Sequence, residues 1–237
     1  MLRTTWRPPP VVLVWFLLGG TVSAQVGLGE RLVDEGRFEE AVAAYDRAVT
    51  ERPGDAGAHL RLARATVFLA DALPAGADAD KQRLFSLAAE RAERAVTLAP
   101  TDPDAHLEVA RALGRLAQYR GVLASLDLAG RILTALERAL ELDPNHASSW
   151  HALGLFHHEA PWIAGGRSGR VVPSLLRAIA LEPDVLSHRV AFAEVLIDRN
   201  APAAAAEHLD HAARLTPRTY HDRQDAQRAR ELRASLP

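Results

Sequence analysis

Five six-residue stretches of similar sequence, each ending in proline, decide the fold of this chain. They are Ala48-Val-Thr-Glu-Arg-Pro53, Ala95-Val-Thr-Leu-Ala-Pro100, Ala139-Leu-Glu-Leu-Asp-Pro144, Ala178-Ile-Ala-Leu-Glu-Pro183 and Ala212-Ala-Arg-Leu-Thr-Pro217. In each stretch a small residue stands five places before a proline. Proline ends a helix because it cannot continue the hydrogen-bond ladder. The pattern therefore predicts five helices that each end near one of these prolines.

The spacing of the five stretches predicts a stacked repeat array, because a single helical hairpin cannot bury its apolar face alone. Successive prolines are 47, 44, 39 and 34 residues apart. No stretch has the pattern of a strand. The predicted fold class is therefore all-α, a solenoid of about five helical hairpins with a C-terminal capping helix at 219–237.

One of the repeats matches a known unit. In it, Trp150-x-x-Leu153-Gly154-x-x-His157 is followed by Ala178 and Pro183. This pattern resembles the tetratricopeptide repeat, a 34-residue helix–turn–helix unit, although His157 stands where that family usually has tyrosine. The resemblance implies a right-handed α-solenoid over residues 25–217, in which the first helix of each hairpin lines a concave groove. The repeats are expected at about 25–55, 56–102, 103–146, 147–185 and 186–218.

A narrower resemblance covers the third and fourth repeats. The stretch from Ala112-Leu-Gly-Arg-Leu-Ala-Gln-Tyr-Arg-Gly121 through Trp150-His-Ala-Leu-Gly-Leu-Phe-His-His158 is similar to the regulator-of-microtubule-dynamics group of tetratricopeptide proteins. That group is intracellular, whereas this chain has the features of an exported protein, so no function is carried over. The repeats also differ in length. Residues 73–80 have the composition of an inserted loop, and the apolar residues of 122–126 predict a lengthened second helix in repeat three.

The first 24 residues have the three parts of a secretory signal peptide. Arg3 and Arg7 give a positive start, residues 11–18 form an apolar run, and Val22-Ser23-Ala24 supplies small residues before a cleavage point. The run is shorter than the roughly 20 residues that span a bilayer. We therefore expect cleavage before Gln25 and an exported chain, periplasmic or secreted, without a membrane span. The alternatives are an uncleaved N-terminal anchor and an apolar disordered tail.

Composition excludes several classes of function. The 237 residues contain no cysteine, which excludes disulfides, zinc–thiolate sites and thiol nucleophiles. Without the signal peptide the chain has 26 basic and 30 acidic residues, a net charge of −4. That balance gives no indication of a nucleic-acid partner.

The groove positions that the tetratricopeptide resemblance implies give a candidate binding surface with a basic, partly apolar centre. Because guanidinium groups bind carboxylates in a bidentate manner, this surface fits a protein or peptide partner with an acidic or C-terminal carboxylate segment. The lysine–asparagine carboxylate clamp of chaperone-binding members is missing. The alternative is a solvated helix face whose arginines pair with neighbouring glutamates. The candidate groove residues are Leu60, Arg61, Arg64, Phe68, Leu107, Arg111, Arg115, His151, Leu155 and His158.

No pattern in the sequence indicates catalysis, a cofactor or a metal site. The ten histidines form no recognised zinc motif, although His208 and His211 lie three residues apart on a predicted helix. The loop Gly165-Gly-Arg-Ser-Gly-Arg170 lacks the ending of a phosphate-binding loop and follows no strand. We interpret this loop as a connector, with anion binding as the alternative. Trp162 either anchors the loop to the array or is an exposed contact residue.

These observations predict a non-enzymatic, exported scaffold that binds a protein or peptide through its concave groove. One alternative is a structural subunit of an envelope complex that uses its convex face or inserted loops. The other is a ligand- or metal-binding protein that uses its histidines.

Overall fold

The computed structural model describes residues 11–120 and 122–236, which contain eleven α-helices, one 3-10 turn and no strand. The 3-10 turn, Trp162–Ala164, lies between the seventh and eighth helices. The helices are α1 Val11–Asp34, α2 Phe38–Glu51, α3 Ala56–Ala72, α4 Asp78–Leu98, α5 Pro103–Gln118, α6 Val122–Leu142, α7 Ala147–Glu159, α8 Ser168–Leu181, α9 Leu186–Asp198, α10 Pro202–Ala212 and α11 Tyr220–Ser235.

The helices pack as five successive hairpins, which confirms the predicted α-solenoid. The hairpins are α1–α2, α3–α4, α5–α6, α7–α8 and α9–α10, and α11 packs against α9 and α10. The core is accordingly a row of clusters. One cluster joins the first hairpin to α3, a long one runs from α3 to α7, and others join α8 to α9 and α9 to α11.

The proline-ended stretches form the helix ends that their sequence predicts. The small residue that opens each stretch is 0–1% exposed, because it lies where two helices approach most closely. In the first four stretches the helix ends two residues before the proline, and the next backbone N–H donates to the carbonyl of that small residue at 2.8–2.9 Å. In the fifth, α10 already ends at Ala212, five residues before Pro217.

A second repeated contact was not predicted. In four hairpins the side chain six residues after the proline hydrogen-bonds to that proline's carbonyl, at 2.8–3.0 Å. Because a carbonyl oxygen only accepts, each side chain must be the donor, so the two histidines carry a hydrogen on Nε2. Three different residue types thus tie the start of a first helix to the preceding turn. The four donors are His59, His106, Trp150 and Arg189.

The insertions lie where the sequence placed them, with adjusted bounds. The inserted loop of the second repeat spans residues 73–77, because α4 begins at Asp78 within the predicted loop. The predicted lengthening of the second helix in repeat three is confirmed, since α6 has 21 residues.

The predicted signal peptide lies partly outside the described residues, which omit residues 1–10. From Val11 onwards, α1 runs without a break through the predicted cleavage point and ends at Asp34. Val22 is 3% exposed and belongs to the core of the first hairpin. Among the helices that the structure describes, none is long and apolar enough to cross a membrane.

Candidate functional site

Polar side chains connect the first helices of successive hairpins and form one continuous surface, here called the ladder. The Nε atom of Arg61 on α3 donates to Glu30 on α1 at 3.0 Å. The next steps join α3 to α5, α5 to α7, α7 to α9 and α9 to α11. The pairs that form these steps are Arg64–Glu108, Arg115–Asp71, Gln118–Glu159, His158–Asp198 and Arg228–Glu194.

The centre of the ladder is a buried carboxylate held by two arginines. The Glu108 side chain is 0% exposed, and its Oε1 atom accepts from Arg64 Nε at 2.8 Å and from Arg111. Burial works against the charged form of Arg64, but Glu108 and Asp104 outweigh it and raise the pKa of the guanidinium group. The arginines of this centre are therefore charged and internally neutralised.

The ladder shows how the four candidate arginines are paired within the chain. Each of the four candidate groove arginines forms an ion pair with a carboxylate of its own chain. Three of these pairs cross to another helix, and only Arg111–Glu108 lies within one helix, so the surface is neither an open basic patch nor a face paired with sequence neighbours alone. Of the two partners of Arg64, Asp104 is the replaceable one, because its side chain is half-exposed and 3.3 Å away, whereas Glu108 is buried.

Two of the candidate residues were wrongly assigned to the groove surface. Leu60 is 8% exposed and packs with Ala95 and Ala105, whereas Leu107 is 1% exposed within the long core cluster. Both side chains face neighbouring helices, so a peptide cannot contact them. Leu155 also packs partly against the α8–α9 cluster. The binding role of the remaining candidates stays a prediction.

His151 and His188 form a polar contact between α7 and α9, with their Nδ1 atoms 3.1 Å apart. The Nε2 atom of His188 lies 3.3 Å from a Glu182 carboxylate oxygen, which can only accept. A neutral His188 therefore carries its hydrogen on Nε2 and accepts from Nδ1–H of His151. Burial lowers the pKa of His151 to about 3, with the neighbouring His188 adding to the effect. Within the described residues no cluster of three or more His, Asp or Glu side chains could hold a metal ion.

The C-terminal helix reaches the first hairpin as well as the last, which the sequence did not predict. The Tyr220 ring packs edge-on against Phe38 with 5.3 Å between centroids, and the His221 ring lies 4.0 Å from Phe68. Arg223 donates to the backbone carbonyl of Asp34 at 2.8 Å. We call this set of contacts the closure. It covers Phe68, so the first-hairpin end of the predicted groove is occupied by the chain itself.

Gly36 makes the closure possible. Its φ of +76° ends α1 in the left-handed region that favours glycine. A Cβ atom at this position would also lie 2.4 Å from the Tyr220 ring.

The sequence signal that could have located the start of α11, and with it the residues of the closure, is the capping box of this helix. In it, the Thr219 side chain accepts from the Asp222 N–H, and the Asp222 carboxylate accepts from the Thr219 N–H.

An open cleft of about 640 Å³ lies on the other face of the array, between α4 and α6 with α5 as its floor. Apolar side chains such as Val96, Val109 and Leu126 line it, and the Glu93–Arg131 ion pair crosses it. No pattern in the sequence indicated this cleft, because the two helices that form its walls are separated in the chain by the whole of α5.

The fold and the ladder define the chain as a tetratricopeptide-repeat α-solenoid. A family model described as regulator of microtubule dynamics protein 1-3 matches residues 29–162, more than half of the chain, and the chain belongs to that family. No curated protein matches it.

Solved structures share the fold at low identity. A tetratricopeptide protein of Thermus thermophilus, TTC0263, is 23% identical, with a TM-score of 0.71 over 87% of this chain and 98% of that chain. PilF of Pseudomonas aeruginosa is 17% identical, with a TM-score of 0.53 over 92% and 89%. MamA from residue 41 of Desulfovibrio magneticus RS-1 is 16% identical, with a TM-score of 0.51 over 81% and 93%.

Proposed function

We propose that this chain is an exported, non-catalytic scaffold that binds a protein or peptide through the ladder. The observation that carries the proposal is the continuity of this polar surface across the first helices of all five hairpins. A preformed surface of this kind limits the ordering cost of binding, because its side chains are already held in place.

The proposed binding region is the middle of the ladder, because the closure covers the first-hairpin end. Arg64 and Arg115 are about two-fifths exposed there, at 35% and 44%. A partner carboxylate would replace the half-exposed Asp104 on Arg64 while the buried Glu108 kept its place. The partial exposure of these two guanidinium groups supports an acidic or C-terminal segment as the ligand.

Fluorescent peptides with acidic C-terminal residues, offered with a free and with an amidated terminus, test the ligand class. We expect the free-carboxylate peptides to bind and Arg115→Glu to weaken them roughly tenfold, since a repulsive charge replaces an attractive one. Arg138→Glu is the matched control, because Arg138 is an equally exposed, ion-paired arginine on a second helix. Equal loss in both variants, or binding unaffected by Arg115→Glu, would reject the ladder as the binding surface.

Tyr220→Ala provides a second test of the same surface. Removing the ring opens the closure at Phe38, where His221 is then the remaining α11 ring in contact. We expect binding of longer peptides to become tighter, because the groove gains length. Unchanged affinity for long and short peptides alike would restrict the site to the centre of the ladder.

Export has its own test. The order of charge, apolar run and small residues in 1–24 supports export to the periplasm or the medium. N-terminal sequencing of the mature chain should find Gln25. Cleavage there would remove Val22 from the first-hairpin core. A chain in the envelope fraction that instead starts at Met1 would indicate that the segment is retained.

A second candidate function is a structural subunit of an envelope complex that docks through an inserted loop. The exposure of Trp162 and Ile163 favours this candidate, because two adjacent large apolar side chains lie in solvent. Deleting residues 165–169 should abolish assembly in that case and leave peptide binding by the ladder intact.

A further inference from the structure

The segment between α7 and α8 projects two apolar side chains into solvent. Trp162 is 81% exposed and its neighbour Ile163 is 59% exposed. The backbone beneath them packs onto the array, with Ala164 against the long core cluster and Gly165 beside Leu133 and Phe156. We call Trp162 and Ile163 the tip.

Hydrogen bonds and glycines hold the tip in this position. Pro161 O accepts from the N–H groups of Ala164 and Gly166, at 2.9 and 3.1 Å, and Trp162 O accepts from Gly165 N–H at 3.1 Å. Arg167 adds donors to the Trp162 and Gly166 carbonyls. The chain thus fixes a large apolar side chain outside its own core, at a cost in hydrophobic free energy.

The rim of the tip is basic. Arg167, Arg170 and Arg199 are all exposed, and none of them forms an ion pair within the described part of the chain. The carboxylates closest in sequence are engaged elsewhere, since Glu159 accepts from Gln118 and Asp198 pairs with His158. This contrasts with the ladder, where the arginines are neutralised.

The area of the tip distinguishes between two kinds of partner. A stable protein interface buries about 800 Å² on each side. A tryptophan supplies only roughly 150–250 Å², and the surroundings of the tip are charged. A lipid interface does not set such a threshold, because the insertion of apolar side chains and the attraction of flanking arginines to anionic headgroups add to each other and give reversible binding.

We propose that Trp162 and Ile163 insert into the interface of a membrane that contains anionic lipid, with Arg167, Arg170 and Arg199 contacting the headgroups. This docking is independent of the ladder, so it would bring a scaffold and its bound partner to a membrane surface.

The test uses the full chain with Trp162 as its only tryptophan. Trp6 and Trp15 are replaced by phenylalanine, and Trp150 by histidine, because histidine makes the same bond to the preceding proline carbonyl at positions 59 and 106. The probes are phosphatidylcholine vesicles with and without phosphatidylglycerol, carrying brominated lipid as a quencher. We expect a blue shift and quenching only with phosphatidylglycerol.

Matched variants locate the contact. Arg170→Gln should weaken partitioning about fivefold, the effect of about 1 kcal/mol per arginine at an anionic surface. Trp162→Ala with Ile163→Ser removes the fluorophore, so co-sedimentation with the vesicles measures its partitioning, which should weaken by about tenfold or more. A control chain with Trp162→Phe and its only tryptophan at Arg47→Trp, an exposed position on α2, should remain unquenched.

Two results would overturn the proposal. One is Trp162 emission that stays water-like while the protein sediments with anionic vesicles, which would assign the binding to another segment such as the apolar N-terminal run. The other is emission that shifts on a protein partner and not on vesicles, which would make the tip a protein-docking element.

Discussion

The ladder and the tip differ in whether their arginines are paired with carboxylates and in whether their apolar side chains are buried. In the ladder, Arg64 and Arg111 share one buried carboxylate, and the apolar candidates Leu60 and Leu107 turn into the core. At the tip, Arg170 has no carboxylate partner within the described residues, and Trp162 stands in solvent. The charged side chains of the ladder already pair with one another, so a partner can bind there only by replacing one of these internal ion pairs. The tip has exposed apolar side chains and arginines without ion pairs, so it can bind a partner without breaking an ion pair of its own chain.

The largest loss of stability should follow from removing the buried carboxylate that pairs with the arginines at the centre of the ladder. Glu108→Ala leaves two partly buried arginines without their shared acceptor, and we expect a loss of about 3 kcal/mol in the free energy of unfolding. Urea denaturation measures this loss. Glu93→Ala removes an exposed partner of Arg131 and should cost less than about 1 kcal/mol. Similar losses in the two variants would contradict the special role of the buried carboxylate.

A smaller effect should follow from disturbing the support of the tip. A Cβ atom at Gly166 would lie 1.8 Å from the Ala160 carbonyl oxygen, so the backbone must move, and we expect Gly166→Ala to cost about 2 kcal/mol. Gly169→Ala is the control, because no atom lies within 4 Å of its Cβ position and alanine favours the helix by up to about 1 kcal/mol. Thermal unfolding of the two variants should shift in opposite directions. A stable Gly166→Ala protein would show that the loop is not fixed.

The pH dependence of the His151–His188 contact should give the smallest effect between pH 7.5 and 5.5. The pKa of His151 is about 3 in the folded chain and about 6.5 when unfolded, so the unfolded state binds more protons at acidic pH. Stability from this residue is complete above about pH 6.5 and falls below it, by up to about 1.4 kcal/mol per pH unit. Burial raises the pKa of Asp225 to about 6, which acts in the opposite direction between pH 6 and 4.

Comparing the wild type with His151→Asn isolates the histidine, because Asp225 contributes equally to both chains. We expect the difference in urea midpoint between pH 7.5 and 5.5 to shrink in the variant. An unchanged difference would assign the pH dependence to other, half-buried histidines, such as His208 or His221, whose pKa values burial also lowers.

Local contacts account for what the sequence could predict. The proline-ended stretches determined the helix ends because the small residue, the carbonyl that it offers and the proline all lie within six positions. The bonds from His59, His106, Trp150 and Arg189 are equally local. They escaped prediction because their donors differ in chemistry and share only a spacing.

Contacts between repeats could not be predicted in this way. The assignment of Leu60 and Leu107 to the groove followed from position within a repeat. Whether such a side chain faces solvent depends on how far the next hairpin is rotated. The closure depends on the summed curvature of five hairpins, which no single repeat encodes. The exposure of Trp162 was one of two alternatives, and only the packing of Gly165 and Gly166 decided between them.

The bond from Arg223 to Asp34 joins residues 189 positions apart and has a consequence for folding. In a linear array each terminal unit has one neighbour and can fray while the rest stays folded. Here α11 contacts the first hairpin as well as the last, so the two ends of the array share one set of contacts. Opening either terminus must break the same contacts, which couples the two ends in one cooperative unit and makes their hydrogen exchange rise and fall together.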